Sequence, residues 1–544
     1  MDAARAMLRP KVAAAVAADL HVWKSTLDGT WQAFHVVLPV GYTPDKKWPL
    51  AINFHPLNYI DFDPLNEIQQ IAKSGRPVKF QGDRIKLEPW GRGNGFQELG
   101  DEEFLATLDY GVNTLGGDKN SVAITGDSDG ATDAMIYTQR YSDAVAGVDF
   151  RSGGYFSYQP GPEHGIAGLE MQVVAPAYDI MGHAGLLRGI SGRLSAGAED
   201  EKFLPSTLRM KDILTGLQSP IDIVIVPKAG HDFRPPSVPP PVFNRPPATI
   251  ENSVLIEGAD LRYANKDGFV VKNLTAFGKP WHLRAFVTSD NTLWIETSNI
   301  ARFSFTESAT GPFTKAKRIM VDGKDVNRIS QNYHEITFSE SASGWSRNDG
   351  VVPADPAVKN PQTAGPIMDL RRKPFLIVCG TKNPETAPAI QARIELIVSK
   401  MSGNQRGEND SARYVVVKDT DCTSAMRQGK SVWLIGNRDE NSLYDLLAGQ
   451  APIAVSNGKM QFGSKVVDGP TKLATFIIPN PESAGNYVYV EAATRREGYV
   501  GPVFESRVFD FAVNTIDLKE NPLFVRGFFD ENWRLKNELT FWRK

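Results

Sequence analysis

The segment Val122-Ala-Ile-Thr-Gly-Asp-Ser-Asp-Gly-Ala131 decides the fold of this chain. Its first four residues are typical of a short buried strand, and the residues from Ala131 to Tyr141 follow a helical pattern. Between the two stands Gly-x-Ser-x-Gly, with Ser128 at its centre. The pattern alone is a weak signal, but between a strand and a helix it predicts a sharp turn that exposes the serine hydroxyl above the carboxyl edge of a parallel sheet. The other interpretation is a tight turn in which Ser128 only caps the helix.

Strand and helix patterns alternate around this segment. Short apolar runs typical of buried parallel strands lie at 35–40, 50–54, 85–88 and 122–125. Helical stretches lie between them at 101–115 and 131–141. This alternation predicts an α/β fold with a mostly parallel sheet that helices cover on both faces.

Two stretches that favour neither helix nor strand divide the chain. Residues 235–247 are dominated by proline, and residues 346–374 mix glycine, proline, asparagine and charge. The division predicts an α/β domain at 1–245, a β-rich, sandwich-like module at 248–346 and a smaller α/β domain at 367–544. The middle part shows several short strand patterns with turns and no helix pattern, whereas alternation resumes in the last part.

Composition excludes several classes of protein. The 544 residues are 41% hydrophobic and carry a formal net charge of −3, from 60 basic and 63 acidic residues, which argues against nucleic acid as a partner. The longest apolar runs are too short to cross a bilayer, so we expect no membrane insertion. The N-terminus shows no secretory signal, and the compartment stays open: secreted or periplasmic if a signal has been removed, otherwise cytoplasmic. Cys379 and Cys422 form no disulfide framework and lack metal-ligand spacing.

A serine needs a base to become a nucleophile, and the sequence offers one in the right place. His231 follows the apolar run at 223–226, in a loop that a parallel sheet brings to the same edge as Ser128. The loop Gly197-Ala-Glu-Asp200 supplies a carboxylate between the serine and the histidine in chain order. Asp200 is the preferred partner of His231, with Glu199 and Glu201 as competitors.

The order serine, aspartate, histidine resembles the α/β-hydrolase superfamily, and within it bacterial serine hydrolases of the prolyl-oligopeptidase-like, dienelactone-hydrolase-like and feruloyl-esterase-like groups. The resemblance covers about residues 30–235, and the match is weaker for residues 248–544. The motifs that carry it are Asn53-Phe-His-Pro56, Gly91-Arg-Gly93, Gly126 to Gly130, Gly197 to Asp200 with Pro205, and Gly230-His231.

The resemblance implies an oxyanion hole and also shows departures from the family pattern. The glycine usual after His55 is Pro56, which has no amide proton, so the first donor is expected to be the N–H of Leu57 or Asn58. The second is the N–H of Asp129, the residue after the nucleophile. Asp127 and Asp129 flank Ser128, and two carboxylates beside a developing oxyanion cost stabilisation unless they are paired or turned away.

The remaining site predictions concern substrate contacts. Arg92 either orients a substrate or pins a loop, and His55 is expected to support the oxyanion loop. An acyl or aromatic pocket is predicted from Tyr155, Phe156 and Tyr158, with ordinary core packing as the alternative. No metal site and no cofactor are implied.

These observations predict a serine esterase with the triad Ser128, His231 and Asp200, acting on a small-molecule or polymer ester such as a feruloyl ester or a polyester. A peptidase of the prolyl-oligopeptidase type is the alternative within enzymes, less favoured because only about 30 residues precede the first strand. The other alternative is an inactive binding protein of the hydrolase fold, which Pro56 and the two flanking aspartates favour. The sequence leaves the oligomeric state open.

Overall fold

A computed structural model describes sixteen parts of the chain. They are residues 19–27, 29, 31–56, 79–91, 100–155, 180–232, 253–258, 260–306, 316–326, 335–350, 352–353, 355–401, 415–468, 471–500, 509–515 and 524–543. The proline-rich stretch at 235–247 lies outside these ranges.

A nine-stranded sheet organises the first part of the chain. Its strands are β1 (Leu20–Lys24), β2 (Trp31–Leu38), β3 (Trp48–Phe54), β4 (Lys79–Phe80), β5 (Ile85–Pro89), β6 (Gly117–Asp127), β7 (Gly147–Arg151), β8 (Ser191–Gly197) and β9 (Ile221–Val226). The order is β1-β2-β5-β3-β6-β7-β8-β9, with β4 beside β2. The pairs β1–β2 and β2–β5 are antiparallel, and the pairs from β5 to β9 are parallel. The carboxyl ends of the parallel strands therefore meet at one edge.

The described helices of this part pack on one face of the sheet. They are α1 (Gly100–Asp109), α2 (Asp129–Arg140) and α3 (Leu204–Gly216). Phe104, Tyr137 and Met210 from these helices share a core with strand residues such as Ile52 and Phe150. Helices were predicted on both faces; the described ranges show them on one face, and helices on the other face stay a prediction.

Alternate residues of the same strands make the opposite face polar. Thr125 donates a hydrogen bond of 2.7 Å to Asn53 across β6 and β3. Arg193 on β8 forms an ion pair of 2.7 Å with Asp149 on β7. These polar side chains recur at every second residue, as the alternation of side chains along a strand requires.

The buried ring of His21 on β1 is expected to make the stability of this sheet depend on pH. Its ring packs against those of Phe34 and Tyr110, with centroids 4.8 and 3.9 Å away. Burial lowers its pKa to about 4, so between pH 6.5 and 4 the unfolded chain binds a proton that the folded chain does not. We expect stability to fall as the pH falls through that window, and His21→Phe to remove about 3 kcal/mol of this loss. Urea denaturation of both proteins at about pH 7 and about pH 4 measures the difference, and equal losses contradict the expectation.

Two facing five-stranded sheets form the middle part. Its strands are β10 (Ser253–Gly258), β11 (Asn265–Lys266), β12 (Phe269–Leu274), β13 (Trp281–Val287), β14 (Thr292–Ser298), β15 (Ile300–Thr306), β16 (Arg318–Val321), β17 (Lys324–Asp325), β18 (Glu335–Ser339) and β19 (Ser346–Asp349). One sheet has the order β10-β13-β14-β16-β17 and the other β11-β12-β15-β18-β19. Both contribute to one core, which holds Trp281, Leu283 and Phe303, and this is the arrangement of a sandwich.

The last part contains an eight-stranded sheet and a small three-stranded one. Its strands are β20 (Phe375–Cys379), β21 (Val415–Lys418), β22 (Ser431–Ile435), β23 (Ile453–Ser456), β24 (Lys459–Phe462), β25 (Lys465–Val467), β26 (Lys472–Pro479), β27 (Tyr487–Ala493), β28 (Phe511–Thr515), β29 (Phe524–Phe529) and β30 (Leu535–Arg543). The helices are α4 (Ala387–Met401), α5 (Ser424–Arg427) and α6 (Tyr444–Ala448). The large sheet has the order β21-β20-β22-β27-β26-β28-β29-β30, parallel from β21 to β27 and antiparallel beyond.

Buried charges join the three parts. The carboxylate of Asp101 at the start of α1 pairs with Arg140 of α2 at 2.8 Å and with Arg372, just before β20, at 3.4 Å. Burial by itself raises the pKa of Asp101, but the Arg372 and Arg140 guanidiniums hold it below its usual value. Arg262 of the middle part pairs with Asp369 at 2.9 Å beside them. These ion pairs connect the three parts, and the division of the chain into three domains stays a prediction.

Both cysteines are buried, and neither forms a disulfide. Across the described ranges, no helix combines the length and the apolar character that crossing a membrane requires.

Candidate active site

The turn at Ser128 is sharp and strained. Strand β6 ends at Asp127 and α2 begins at Asp129, which leaves Ser128 alone at the corner with φ 55° and ψ −125°. A Cβ on Gly126 would lie 2.5 Å from the carbonyl oxygen of Gly130, and a Cβ on Gly130 would lie 2.4 Å from that of His55. Both glycines are therefore required by close approach of the backbone, as the Gly-x-Ser-x-Gly pattern predicts.

Two further loops bring His231 and Asp200 to the same edge. Asp200 follows β8 and His231 follows β9, and both strands are parallel neighbours in the sheet. A Cβ on Gly197, the last residue of β8, would lie 2.2 Å from the carbonyl oxygen of Ala229. The glycine therefore lets the two loops pass in contact, which holds Asp200 beside His231.

The three side chains form a continuous hydrogen-bonded chain. Ser128 Oγ lies 3.0 Å from Nε2 of His231, and Nδ1 of His231 lies 2.9 Å from Oδ2 of Asp200. The Asp200 side chain is 3% exposed and that of His231 is 37% exposed. A buried carboxylate on Nδ1 and a hydroxyl on Nε2 favour the tautomer in which Nε2 can take the serine proton. The arrangement can therefore turn Ser128 into a nucleophile.

Phe203 and Ser152 support this chain, and the sequence reasoning did not find them. The ring of Phe203 stacks on the imidazole of His231 at 4.9 Å, and its N–H donates to Oδ1 of Asp200 at 3.2 Å. Ser152 has a φ of 49°, and its Oγ lies 3.4 Å from the carbonyl oxygen of His231. The one signal for these positions was their place in the chain: Ser152 directly follows β7, and Phe203 lies three residues after Asp200.

An ion pair neutralises one of the two aspartates that flank Ser128. Asp127 pairs with Arg151 at 2.6 Å, because their positions are opposite each other in the β6–β7 register. Burial raises the pKa of Asp127, and the Arg151 guanidinium opposes that rise. Asp127 therefore places less uncompensated negative charge beside Ser128 than the sequence alone suggested.

The predicted oxyanion donors lie partly inside the described structure. Asp129 is the first residue of α2, where an N–H has no intrahelical acceptor and points towards the serine end of the helix. Leu57 and Asn58 lie outside the described residues. The ring nitrogens of His55 are each 2.9 Å from a backbone carbonyl oxygen, those of Pro56 and Trp90, which agrees with a supporting role for His55.

The structure corrects one predicted substrate contact. Tyr155 has no exposed surface and packs in the core between the sheet and the helices. Burial raises the pKa of its phenol well above the ordinary value. Core packing, the alternative considered for Tyr155, is what the structure shows. Arg92, Phe156 and Tyr158 lie outside the described residues.

Within the described ranges, no three or more histidine, cysteine, aspartate or glutamate side chains lie together in a way that could hold a metal ion.

The role of Arg151 is testable through the reactivity of Ser128. Arg151→Gln leaves the Asp127 carboxylate unpaired beside the negative charge that forms during attack, so we expect the rate of labelling by a fluorophosphonate to fall about tenfold. The second change Asp127→Asn removes that carboxylate and is expected to restore the rate. Equal rates for the wild type and Arg151→Gln contradict the role.

No family model and no curated protein matches this chain. Solved structures match parts of it. A ferulic acid esterase is 16% identical with a TM-score of 0.29, over 39% of this chain and 90% of that chain. The CE1 ferulic acid esterase of the anaerobic fungus Anaeromyces mucronatus is 19% identical with a TM-score of 0.29, over 40% and 84%. Porphyromonas gingivalis dipeptidyl peptidase 4 is 14% identical with a TM-score of 0.30, over 42% and 35%.

The chain thus spans most of the matched esterases and about a third of the matched peptidase. The matched proteins are two ferulic acid esterases and a dipeptidyl peptidase, and each likeness covers about two fifths of this chain.

Proposed function

We propose that this protein is a serine hydrolase that cleaves carboxylic esters through an acyl-enzyme. The observation that carries the proposal is the hydrogen-bonded chain from Ser128 through His231 to Asp200, with distances of 3.0 and 2.9 Å. Its three members come from loops at the carboxyl ends of β6, β8 and β9.

In the first half-reaction Ser128 Oγ attacks the ester carbonyl carbon while Nε2 of His231 takes the hydroxyl proton. Asp200 holds Nδ1–H and stabilises the imidazolium that forms. The tetrahedral intermediate then collapses, and His231 returns the proton to the leaving alcohol. The acyl group stays on Ser128.

We assign the stabilisation of the negative charge on the carbonyl oxygen to backbone N–H donors. The N–H of Asp129 at the start of α2 is one, with the field of the helix N-terminus behind it. The N–H of Leu57 or Asn58 is proposed as the other. In the second half-reaction His231 activates water, which releases the acid and restores Ser128.

Ester hydrolysis is the less demanding reaction for this site. Resonance stabilises the peptide bond, so an amide needs more help from the site than an ester does. We therefore expect this site to cleave esters faster than peptides. Peptide substrates are the comparison in the test.

The test combines covalent labelling with a substrate panel. We expect a fluorophosphonate to label the wild-type protein once, with the label on the peptide that contains Ser128. We also expect turnover of para-nitrophenyl esters from acetate to decanoate and of a feruloyl ester, faster than of peptide anilides. Absence of labelling overturns the proposal. Faster cleavage of the anilides than of the esters would show that the protein is a peptidase and not an esterase.

A further inference from the structure

A buried lysine and a buried aspartate meet where the middle sandwich and the last part of the chain come together. Lys359 lies in the segment before β20, and Asp510 directly precedes β28. Their side chains are 0% and 1% exposed, and Nζ of Lys359 donates a hydrogen bond to Oδ2 of Asp510. The pair is far from the candidate active site along the chain and shares no contact with it in the described structure.

The pair lacks the partners that charged groups need in the interior. Among the described residues, Asp510 supplies the side-chain hydrogen-bond acceptor for Lys359 Nζ, which otherwise faces the rings of Phe277 and Trp533 at 4.3 and 4.8 Å. Oδ2 of Asp510 also accepts from the Phe529 N–H at 2.9 Å. Oδ1 is buried and has no hydrogen-bond partner in the described ranges. In a buried site, an ion pair whose hydrogen-bonding groups lack partners raises the free energy of the folded protein.

Burial shifts the pKa of each group towards its uncharged form. Burial lowers the pKa of Lys359, against the opposing charge of Asp510. Burial likewise raises the pKa of Asp510, against the opposing charge of Lys359. A neutral amine is a nucleophile, and a neutral carboxylic acid carries a hydroxyl that can leave as water.

We propose that Lys359 and Asp510 are joined by an intramolecular isopeptide bond. Nζ of Lys359 attacks Cγ of Asp510, so that one N–C bond forms and one C–O bond breaks. Oδ1 leaves as water with two of the three ammonium protons, and the reaction needs no oxidant or other co-reactant. The Phe529 N–H already donates to Oδ2, where negative charge gathers during the attack.

The amide product removes the groups that lack partners in the ion pair. Both charges disappear, and the oxygen without a partner departs. A Cβ on Gly365 would lie 2.1 Å from Oδ1, so the glycine backbone closes over this side of Asp510 and limits the water that could reverse the reaction. The bond links residues 151 positions apart. It therefore ties the segment before β20 to the large sheet of the last part.

The test is the mass of the full-length protein under denaturing conditions. We expect the wild-type chain to be lighter by one water molecule than the mass calculated for the purified chain. Trypsin should then fail to cleave after Lys359, and residues 348–371 should appear linked to residues 508–519. Lys359→Arg is the matched control: it keeps the charge, has no primary amine, and is expected to show the calculated mass.

A wild-type mass equal to the calculated one, with normal cleavage after Lys359, overturns the proposal and leaves a buried ion pair. Loss of water that maps to another site also overturns it. Because the mass is read on denatured protein, a variant that folds poorly still gives a valid control.

Discussion

Ser128→Ala is expected to lower kcat for a para-nitrophenyl ester by about 10⁶-fold, to the level that the remaining site supports. The hydroxyl is the atom that forms the acyl-enzyme, and the neighbouring groups cannot replace it, because Nε2 of His231 then has no hydroxyl to activate. The alanine removes one buried contact at most, since Ser128 is half-buried at the corner of a turn. Fold and stability should therefore stay close to those of the wild type.

The measurement is steady-state turnover together with fluorophosphonate labelling on the same preparations. Ser346→Ala is the matched control, because Ser346 is an exposed serine at the start of β19 in the middle sandwich. We expect this variant to match the wild type in both assays. Turnover that persists in Ser128→Ala, with unchanged labelling, means that another residue is the nucleophile.

The residues of the proposed triad could be proposed from the sequence because each lies in the loop that follows a strand. A parallel sheet brings the carboxyl ends of its strands to one edge, whatever the details of packing. Ser128 also carries its own local signature, since Gly126 and Gly130 are required by backbone contacts within a few residues. Gly197 is likewise required by a close backbone contact, here with the loop of His231. This contact joins two loops that the sequence does not show as neighbours.

Features that depend on register or on the direction of a side chain were not predictable. Asp127 meets Arg151 only because β6 and β7 pair with these residues opposite each other. Tyr155 follows two glycines and could point either way; its ring turns into the core. The stacking of Phe203 on His231 likewise depends on how the loop after β8 folds back.

The identity of the carboxylate shows where the structure adds most to the sequence. Three acidic residues in a row, at 199, 200 and 201, follow β8, and chain order alone could not separate them. The structure exposes Glu199 and Glu201 to solvent and buries Asp200 against His231. A carboxylate that is shielded from water acts more strongly on an imidazole than an exposed one does. The three residues should therefore respond very differently to the same chemical change.

Asp200→Asn is expected to lower kcat by about 10⁴-fold while leaving the geometry of the loop in place. The amide of asparagine can donate to Nδ1 of His231, which moves the ring proton to Nε2 and removes the lone pair that takes the serine proton. Glu199→Gln and Glu201→Gln are matched controls, since each makes the same acid-to-amide change on an exposed neighbour, and we expect kcat within about twofold of the wild type. Steady-state kinetics on the three variants, with circular dichroism to verify folding, measures the effect. A large loss in Glu199→Gln or Glu201→Gln, with Asp200→Asn active, would assign the carboxylate role to that neighbour and show that the loop rearranges when substrate binds.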